Sequence, residues 1–216
     1  MKNQPKTKNK STEERMQDGT DKVVGTITED ELLDILTGVR DNELLEERIS
    51  ALPERNLTED EAMDIIYGLG CNSFNRMGAF IEISSRLHGK VYWHVLSEAY
   101  QGSDDLFQYK DQIKKLFSSP EPHRKYLMTP EERQYLKQLP DKVTAYRGMT
   151  VREKENESFG ISWTLSKRTA EFFAYTYRRN QATKGMETTV TELKVPKNQI
   201  LAYYNGRNED EIIYIV

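Results

Sequence analysis

The sequence predicts an α+β fold in which a helical N-terminal half precedes a half that mixes strands and helices. Before Pro140, apolar residues recur at helical spacing behind two strong helix-start signals. After Pro140, apolar and polar residues alternate with the period of two that is typical of strands. The 216 residues, with 37% hydrophobic content and a single cysteine, are enough for a core built without disulfides.

Residues 1–25 contain few apolar side chains, so we expect a disordered basic tail there. The first ten residues carry lysines without acids and lack the apolar stretch of a secretory signal. We therefore expect a cytoplasmic protein, or one delivered into the cytoplasm of a target cell, with no membrane partner. The basic tail leaves a nucleic-acid contact open, although the net charge of −4 argues against binding by bulk electrostatics.

Residues 26–120 are expected to form a helical region. Residues 28–39 and 58–69 share one pattern, in which Thr is followed by three acids, an apolar run and a Gly. In each copy, Thr as N-cap and Glu three residues later predict a capping box. The repeated pattern is explained equally well by duplication of a helical unit and by two helices that converged on one start signal. Residues 118–122, rich in Ser and Pro, predict a domain boundary near 120.

Residues 121–216 are expected to form the second domain. Thr129, followed by Pro130 and Glu132, predicts a helix that ends before Pro140. Ser166 is expected to cap a helix whose Ala170, Phe173, Ala174 and Tyr177 share one face. The predicted strands are 143–148, 161–165, 188–195, 199–204 and 211–216.

Two polar clusters fall on the first predicted strands. Arg147 ends a strand and precedes Gly148, a pair suited to bidentate capture of phosphate oxygens. Ser162 and Thr164 lie on one face of the next strand, where they could hold a carboxylate in position. Taken singly, an ordinary ion pair explains Arg147 and a half-exposed strand explains the two hydroxyl residues.

A third cluster, Glu209-Asp210-Glu211, precedes the last apolar run. If this segment is extended, Glu209 and Glu211 project to one side and perturb each other's titration. Because Glu211 opens an apolar strand, we expect its carboxylate to be half-buried, where a charge is costly unless it serves a purpose. Fixed carboxylates of this kind stabilise a developing cation or orient a cationic acceptor.

Together, the order Arg, Ser-x-Thr, Glu-x-Glu resembles the R-S-E class of ADP-ribosyltransferases, which includes cholera-like and clostridial-type toxins. The resemblance runs from Tyr146 to Ile213 and covers nothing before residue 120. It implies an ADP-ribosyltransferase-like core of two packed β-sheets over residues 121–216, preceded by the N-terminal helical region. It also implies NAD as the substrate, without a metal, in keeping with the absence of ligand spacing among the three histidines.

The resemblance assigns roles to individual residues. Glu211 would stabilise the oxocarbenium-like charge as nicotinamide departs, Ser162 would steady Glu211, and Glu209 would face the acceptor. The aromatic over the nicotinamide would be Phe159, Phe172 or Tyr177, although Phe172 and Tyr177 are also predicted to be core. The implied catalytic residues are thus Glu211, Glu209 and Ser162, and the implied NAD-binding residues are Arg147, Gly148, Thr164, Phe159 and Phe172.

The expected function is that of a mono-ADP-ribosyltransferase, a glycosyltransferase of the toxin or effector kind. Glu at the first position of Glu-x-Glu points within the family to arginine as the acceptor on a protein target. The guanidinium, with its high pKa, needs a carboxylate to orient it and to take its proton. An NAD glycohydrolase, a transferase acting on nucleic acid, and a catalytically dead transferase that serves as a binding module are the alternatives.

Overall fold

The computed structural model describes residues 39–104, 106–177 and 185–216. Residues Val39–Val216 form one compact unit. The predicted basic tail at 1–25 lies outside the described residues, and so does the first copy of the repeated pattern except for its last residue. The boundary near 120 stays a prediction.

The described residues form eight α-helices and five strands, so the α+β class is confirmed. The helices are α1 (Val39–Ser50), α2 (Glu59–Tyr67), α3 (Arg76–Ile83), α4 (Gly89–Gln101), α5 (Lys110–Phe117), α6 (Pro130–Gln138), α7 (Val151–Glu155) and α8 (Lys167–Glu171). The strands are β1 (Lys142–Thr150), β2 (Ser162–Thr164), β3 (Thr188–Pro196), β4 (Ala202–Tyr204) and β5 (Glu211–Ile213). No helix in these ranges has the length and apolar character that a membrane crossing requires.

The capping box predicted at Thr58 is present, and the helix start predicted at Thr129 also forms a capping box. The Thr58 hydroxyl accepts a hydrogen bond from the Glu61 amide at 3.3 Å, and the Glu61 carboxylate accepts one from the Thr58 amide at 2.9 Å. Thr129 and Glu132 repeat this exchange at the start of α6. Each box satisfies backbone amides that a helix start leaves unpaired.

The strands form one antiparallel sheet in the order β3-β1-β2-β5-β4. β1 and β3 pair along their whole length, from Lys142 opposite Pro196 to Thr150 opposite Thr188. β1 and β2 are joined only at Tyr146 opposite Thr164. The described strands therefore make a single sheet with a narrow junction, where the resemblance implies two packed sheets.

Two hydrophobic clusters cover the two faces of the short strands. The larger one unites α1 to α5 with Ala202, Tyr204 and Ile213 of the sheet. The other cluster contains Tyr203 of β4 and Ile212 of β5. These residues alternate along their strands with the members of the larger cluster. The alternation of side chains along a strand thus buries these strands on both sides, and Glu211 begins one of them.

Helix α8 starts at the predicted cap, since the Ser166 hydroxyl accepts a hydrogen bond from the Thr169 amide at 3.2 Å. A π-helical turn over Phe172–Thr176 continues it. Ala170 and Ala174 are buried as predicted, but Phe173 and Tyr177 are each 37% exposed and Phe172 is 45% exposed. The prediction that Phe172 and Tyr177 belong to the core is therefore wrong.

Candidate functional site

A cleft of about 350 Å³ lies where the helical layer meets the middle of the sheet. Its walls come from α4, α5, β1, β2 and the loop that leads into β5. All three polar clusters predicted from the sequence contribute residues to this cleft. The lining residues among them are Arg147, Gly148, Ser162, Thr164, Glu209 and Glu211.

Glu211 lies at the buried end of this cleft, with 5% of its surface exposed. Its Oε1 accepts a hydrogen bond from the Ser162 hydroxyl at 2.5 Å and another from the Tyr100 hydroxyl at 3.0 Å. Two donors from different layers, the sheet and α4, therefore hold one carboxylate oxygen in place. Oε2 lies 3.7 Å from the Arg207 guanidinium.

Burial raises the pKa of the Glu211 carboxyl above its ordinary value, because water no longer solvates the charge. The Ser162 hydrogen bond, the charge of Arg207 and the Tyr100 hydrogen bond all work in the opposite direction. Burial also raises the pKa of the Tyr100 phenol well above its ordinary value, and the Glu211 charge adds to this rise. Tyr100 therefore stays protonated at neutral pH and remains a hydrogen-bond donor.

Arg147, on β1, also lines the cleft. Its Nε and Nη2 contact the Glu153 carboxylate, each at 3.0 Å, and its Nη1 donates to the Ser162 carbonyl at 2.7 Å. A guanidinium has five N–H donors in a fixed fork, so donors remain for a phosphate oxygen. Gly160 makes room for the group, because a Cβ there would lie 2.6 Å from Nη2.

Ser162 connects Arg147 with Glu211. Its carbonyl accepts from Arg147, and its hydroxyl donates to Glu211. The alternation along β2 directs the Ser162 side chain toward the cleft and places Trp163, 1% exposed, in the opposite core. One residue thereby fixes the relative position of a cation and a buried anion.

Thr164 anchors the loop that carries Glu209. Its hydroxyl donates to the Glu209 carbonyl at 2.6 Å and accepts from the Ser166 amide at 3.0 Å. Asp210 adopts a left-handed backbone with φ 47°, so the segment is not extended as the sequence analysis supposed. Glu209 and Glu211 nevertheless both line the cleft, and both contact Arg207.

Three other predicted site residues have local structural roles. Gly148 lines the cleft, yet a Cβ there would lie 2.4 Å from the Ala170 carbonyl, so the glycine lets α8 pack on β1. Phe159 packs edge-on against Trp163. Phe172 stacks on Tyr177, and neither Phe159 nor Phe172 belongs to the lining residues in the described part of the chain. Phe173, in the π-helical turn that follows α8, does line the cleft.

Sequence reasoning missed several residues of the cleft, among them Tyr100, Glu153 and Arg207. Tyr100 has the apolar helical spacing of a core residue and is buried, but the partner of its hydroxyl is 111 residues away. Glu153 has a usable signal, because Thr150 and Glu153 have capping-box spacing directly after a strand. The Thr150 hydroxyl caps α7, and the Glu153 carboxylate contacts Arg147. Arg207 is two residues from Glu209, and that proximity was the available signal.

The described ranges contain no group of three or more His, Cys, Asp or Glu side chains arranged to hold a metal ion. Among the charged residues that line the cleft, the Arg147 guanidinium suits an anionic part of a ligand and the Glu211 carboxylate suits a cationic part. Comparison with models of known protein families, with curated proteins and with solved structures yields no match.

Proposed function

We propose that this protein is a mono-ADP-ribosyltransferase that transfers ADP-ribose from NAD to an arginine side chain of a protein target and releases nicotinamide. One observation carries the proposal. Ser162 donates its hydroxyl to the buried Glu211 carboxylate and accepts a hydrogen bond from Arg147 on its carbonyl, within one cleft. The Arg, Ser and Glu of the R-S-E resemblance thus act as one connected unit.

The proposed reaction begins with departure of nicotinamide from the anomeric carbon of its ribose. The electron pair of the breaking bond goes to the pyridinium nitrogen, and positive charge develops on the ribose. A fixed anion in a desolvated site stabilises such a charge strongly, because it needs no reorganisation during the reaction. Glu211 supplies this anion, and the hydroxyls of Ser162 and Tyr100 hold its Oε1 in position.

Arg147 would hold the pyrophosphate with its fork of donors. Lys110 lines the same cleft, and its ammonium donates to the carbonyl and hydroxyl of Ser158. Exchange of the Glu153 partner for phosphate oxygens would keep the Arg147 charge compensated throughout. Holding the pyrophosphate and the ribose at two fixed points places the reacting carbon against Glu211, which lowers the entropic part of the barrier.

The acceptor would approach past Glu209. Its carboxylate lines the cleft with its side chain 26% exposed, so it can meet an incoming guanidinium while Glu211 stays with the ribose. A sheet with helices on both sides of its short strands is compatible with an ADP-ribosyltransferase-like core, the finer fold assignment that we propose for residues 121–216.

The test is transfer of labelled ADP-ribose from NAD to agmatine and to proteins of a cell lysate. We expect wild-type protein to label agmatine and the Glu211→Gln variant to lose this activity. Glu46→Gln, which alters an exposed carboxylate of α1, is the matched control and should keep it. Equal labelling by the Glu211→Gln variant would contradict the proposal.

The same assay separates the alternatives. Nicotinamide release without a labelled acceptor would identify a glycohydrolase, and RNase- or DNase-sensitive label would identify a nucleic-acid substrate. Absence of NAD binding by calorimetry would identify a binding module. Any one of these three results would contradict transfer to a protein arginine and favour the corresponding alternative.

A further inference from the structure

The guanidinium of Arg207 lies between the two carboxylates of the Glu-x-Glu segment. Its Nη2 is 3.3 Å from Glu209 Oε2 and 3.7 Å from Glu211 Oε2. Arg207 lines the cleft, and 46% of its side chain is exposed. A guanidinium of the chain itself therefore stands where the proposed reaction needs the acceptor guanidinium.

The loop backbone fixes this placement. The Thr164 hydroxyl holds the Glu209 carbonyl at 2.6 Å, and the Tyr203 hydroxyl donates to Asp210 Oδ1 at 2.7 Å. Asn208, with φ 54°, turns the chain in a left-handed conformation, and its amide donates to the Asn205 carbonyl at 3.0 Å. Because these hydrogen bonds fix the loop backbone, the Arg207 side chain is already close to both carboxylates before any reaction begins.

We propose that Arg207 is a site of self-modification, an arginine that accepts ADP-ribose from NAD within the same molecule. The inference rests on the proposed function. The bond between the ribose anomeric carbon and the nicotinamide nitrogen breaks, and its electron pair leaves with nicotinamide. A terminal nitrogen of Arg207 forms the new bond to that carbon and gives its proton to the Glu209 carboxylate, which passes it to water.

Self-modification would also limit the enzyme. The product carries a pyrophosphate and two sugars on Arg207, in the wall of the cleft that the next NAD must enter. The added negative charge lies beside Glu209 and Glu211, where like charges repel. We expect turnover on an external acceptor to slow as the modified fraction of the protein grows.

The experiment is incubation of the purified full-length protein with NAD, followed by intact-mass measurement and peptide mapping with a fragmentation method that keeps the ADP-ribose attached. We expect one ADP-ribose per chain, on Arg207. In Arg207→Lys, which keeps the positive charge between the carboxylates, the peptide should carry no label. Arg152→Lys, at an exposed arginine of α7, is the matched control and should be labelled at Arg207 like wild type.

Dilution tests whether the reaction is intramolecular. The labelled fraction per minute should stay the same over a tenfold dilution of the protein, and a rate that falls in proportion to concentration would overturn the intramolecular reaction. Label on agmatine with none on Arg207 would overturn this inference and leave the proposed function intact. Absence of both nicotinamide release and label would instead overturn the proposed function.

Discussion

The two parts of the sheet differ in length and in burial. β1 and β3, which are not consecutive in the chain, pair at nine positions and form the long strand pair, in which most side chains are only half-buried or exposed. β2, β4 and β5 are three residues long, and every residue of β4 and β5 is buried. The two parts meet at one pair, Tyr146 and Thr164.

This difference separates two chemical tasks. Arg147, on the long strand pair, has a side chain that is 22% exposed, so it is solvated enough to exchange Glu153 for a ligand. Glu211, on a short strand covered on both sides, is desolvated and therefore has a raised pKa. In the proposed function, the long strand pair binds an anion and the buried strands stabilise a cation, with Ser162 at the junction.

The largest expected effect is that of Glu211→Gln. Removal of the fixed anion should lower the rate of nicotinamide release about 10³-fold. The same variant should be more stable than wild type at neutral pH by about 1 kcal/mol, because Gln keeps an oxygen acceptor without a buried charge. Thermal and urea unfolding of both proteins measure this difference.

The sign of the pH dependence follows from the raised pKa of Glu211. The protonated form is the one that the folded state favours, so wild type loses stability as the pH rises through the folded-state pKa of Glu211. The stability advantage of Glu211→Gln should therefore be small at low pH and grow toward neutrality. An advantage that shrinks as the pH rises would contradict the desolvated state of this carboxylate.

Arg147→Lys, on the long strand pair, is expected to have the next largest effect. Lys keeps the charge but loses the fork geometry, so kcat/KM for NAD should fall about tenfold to a hundredfold, mainly through KM. Steady-state kinetics of nicotinamide release provide the measurement. A loss confined to kcat would place Arg147 with the chemical step and erase the division between the two parts of the sheet.

Gly148→Ala tests how closely α8 packs on β1. A Cβ at this position meets the Ala170 carbonyl and the Ala174 amide at 2.4 and 2.7 Å, both backbone atoms. We expect a loss of about 1–3 kcal/mol in the free energy of unfolding. Gly206→Ala, whose Cβ meets only Gln101 Oε1 at 3.7 Å, should stay within about 0.5 kcal/mol of wild type. Equal unfolding midpoints in urea for the two variants would argue against this packing.

Tyr100→Phe should have the smallest effect on activity, about tenfold in kcat, since it removes one of two hydrogen bonds to Glu211. The loss of this donor should raise the pKa of Glu211 further and move the acidic limb of the rate profile to higher pH. Tyr92→Phe, on the same helix, removes a hydrogen bond to the Leu116 carbonyl and should leave the profile in place. A parallel shift in both variants would assign Tyr100 a purely structural role.

Local signals made most of the fold predictable. The capping boxes at Thr58 and Thr129, the Ser166 cap and the change of period after Pro140 depend on residues close in sequence, so the elements they define were recovered. The exposure of Phe172 was not predicted, because apolar spacing in a short helix does not reveal that the helix continues as a π-helical turn.

The candidate site was only partly predictable, for a related reason. Arg147, Ser162 and Glu211 could be chosen because their clusters were expected at strand ends and because their order resembles a known class. Ser162 and Glu211 do begin strands, but the strand of Arg147 continues to Thr150. Tyr100 could not be chosen, because its link to Glu211 depends on how α4 packs on the sheet. The polar atom of a buried Tyr meets partners that tertiary packing alone determines.

We propose that Arg147 binds the pyrophosphate and Glu211 the nicotinamide ribose of one NAD molecule. A crystal structure of the Glu211→Gln variant, whose slow turnover preserves the substrate, tests it most directly when NAD is soaked in. The pyrophosphate oxygens should lie within hydrogen-bonding distance of the Arg147 guanidinium, and the nicotinamide ribose should lie against Ser162 and the substituted side chain. NAD bound outside the cleft, or bound in it with the ribose remote from Ser162, would contradict the claim.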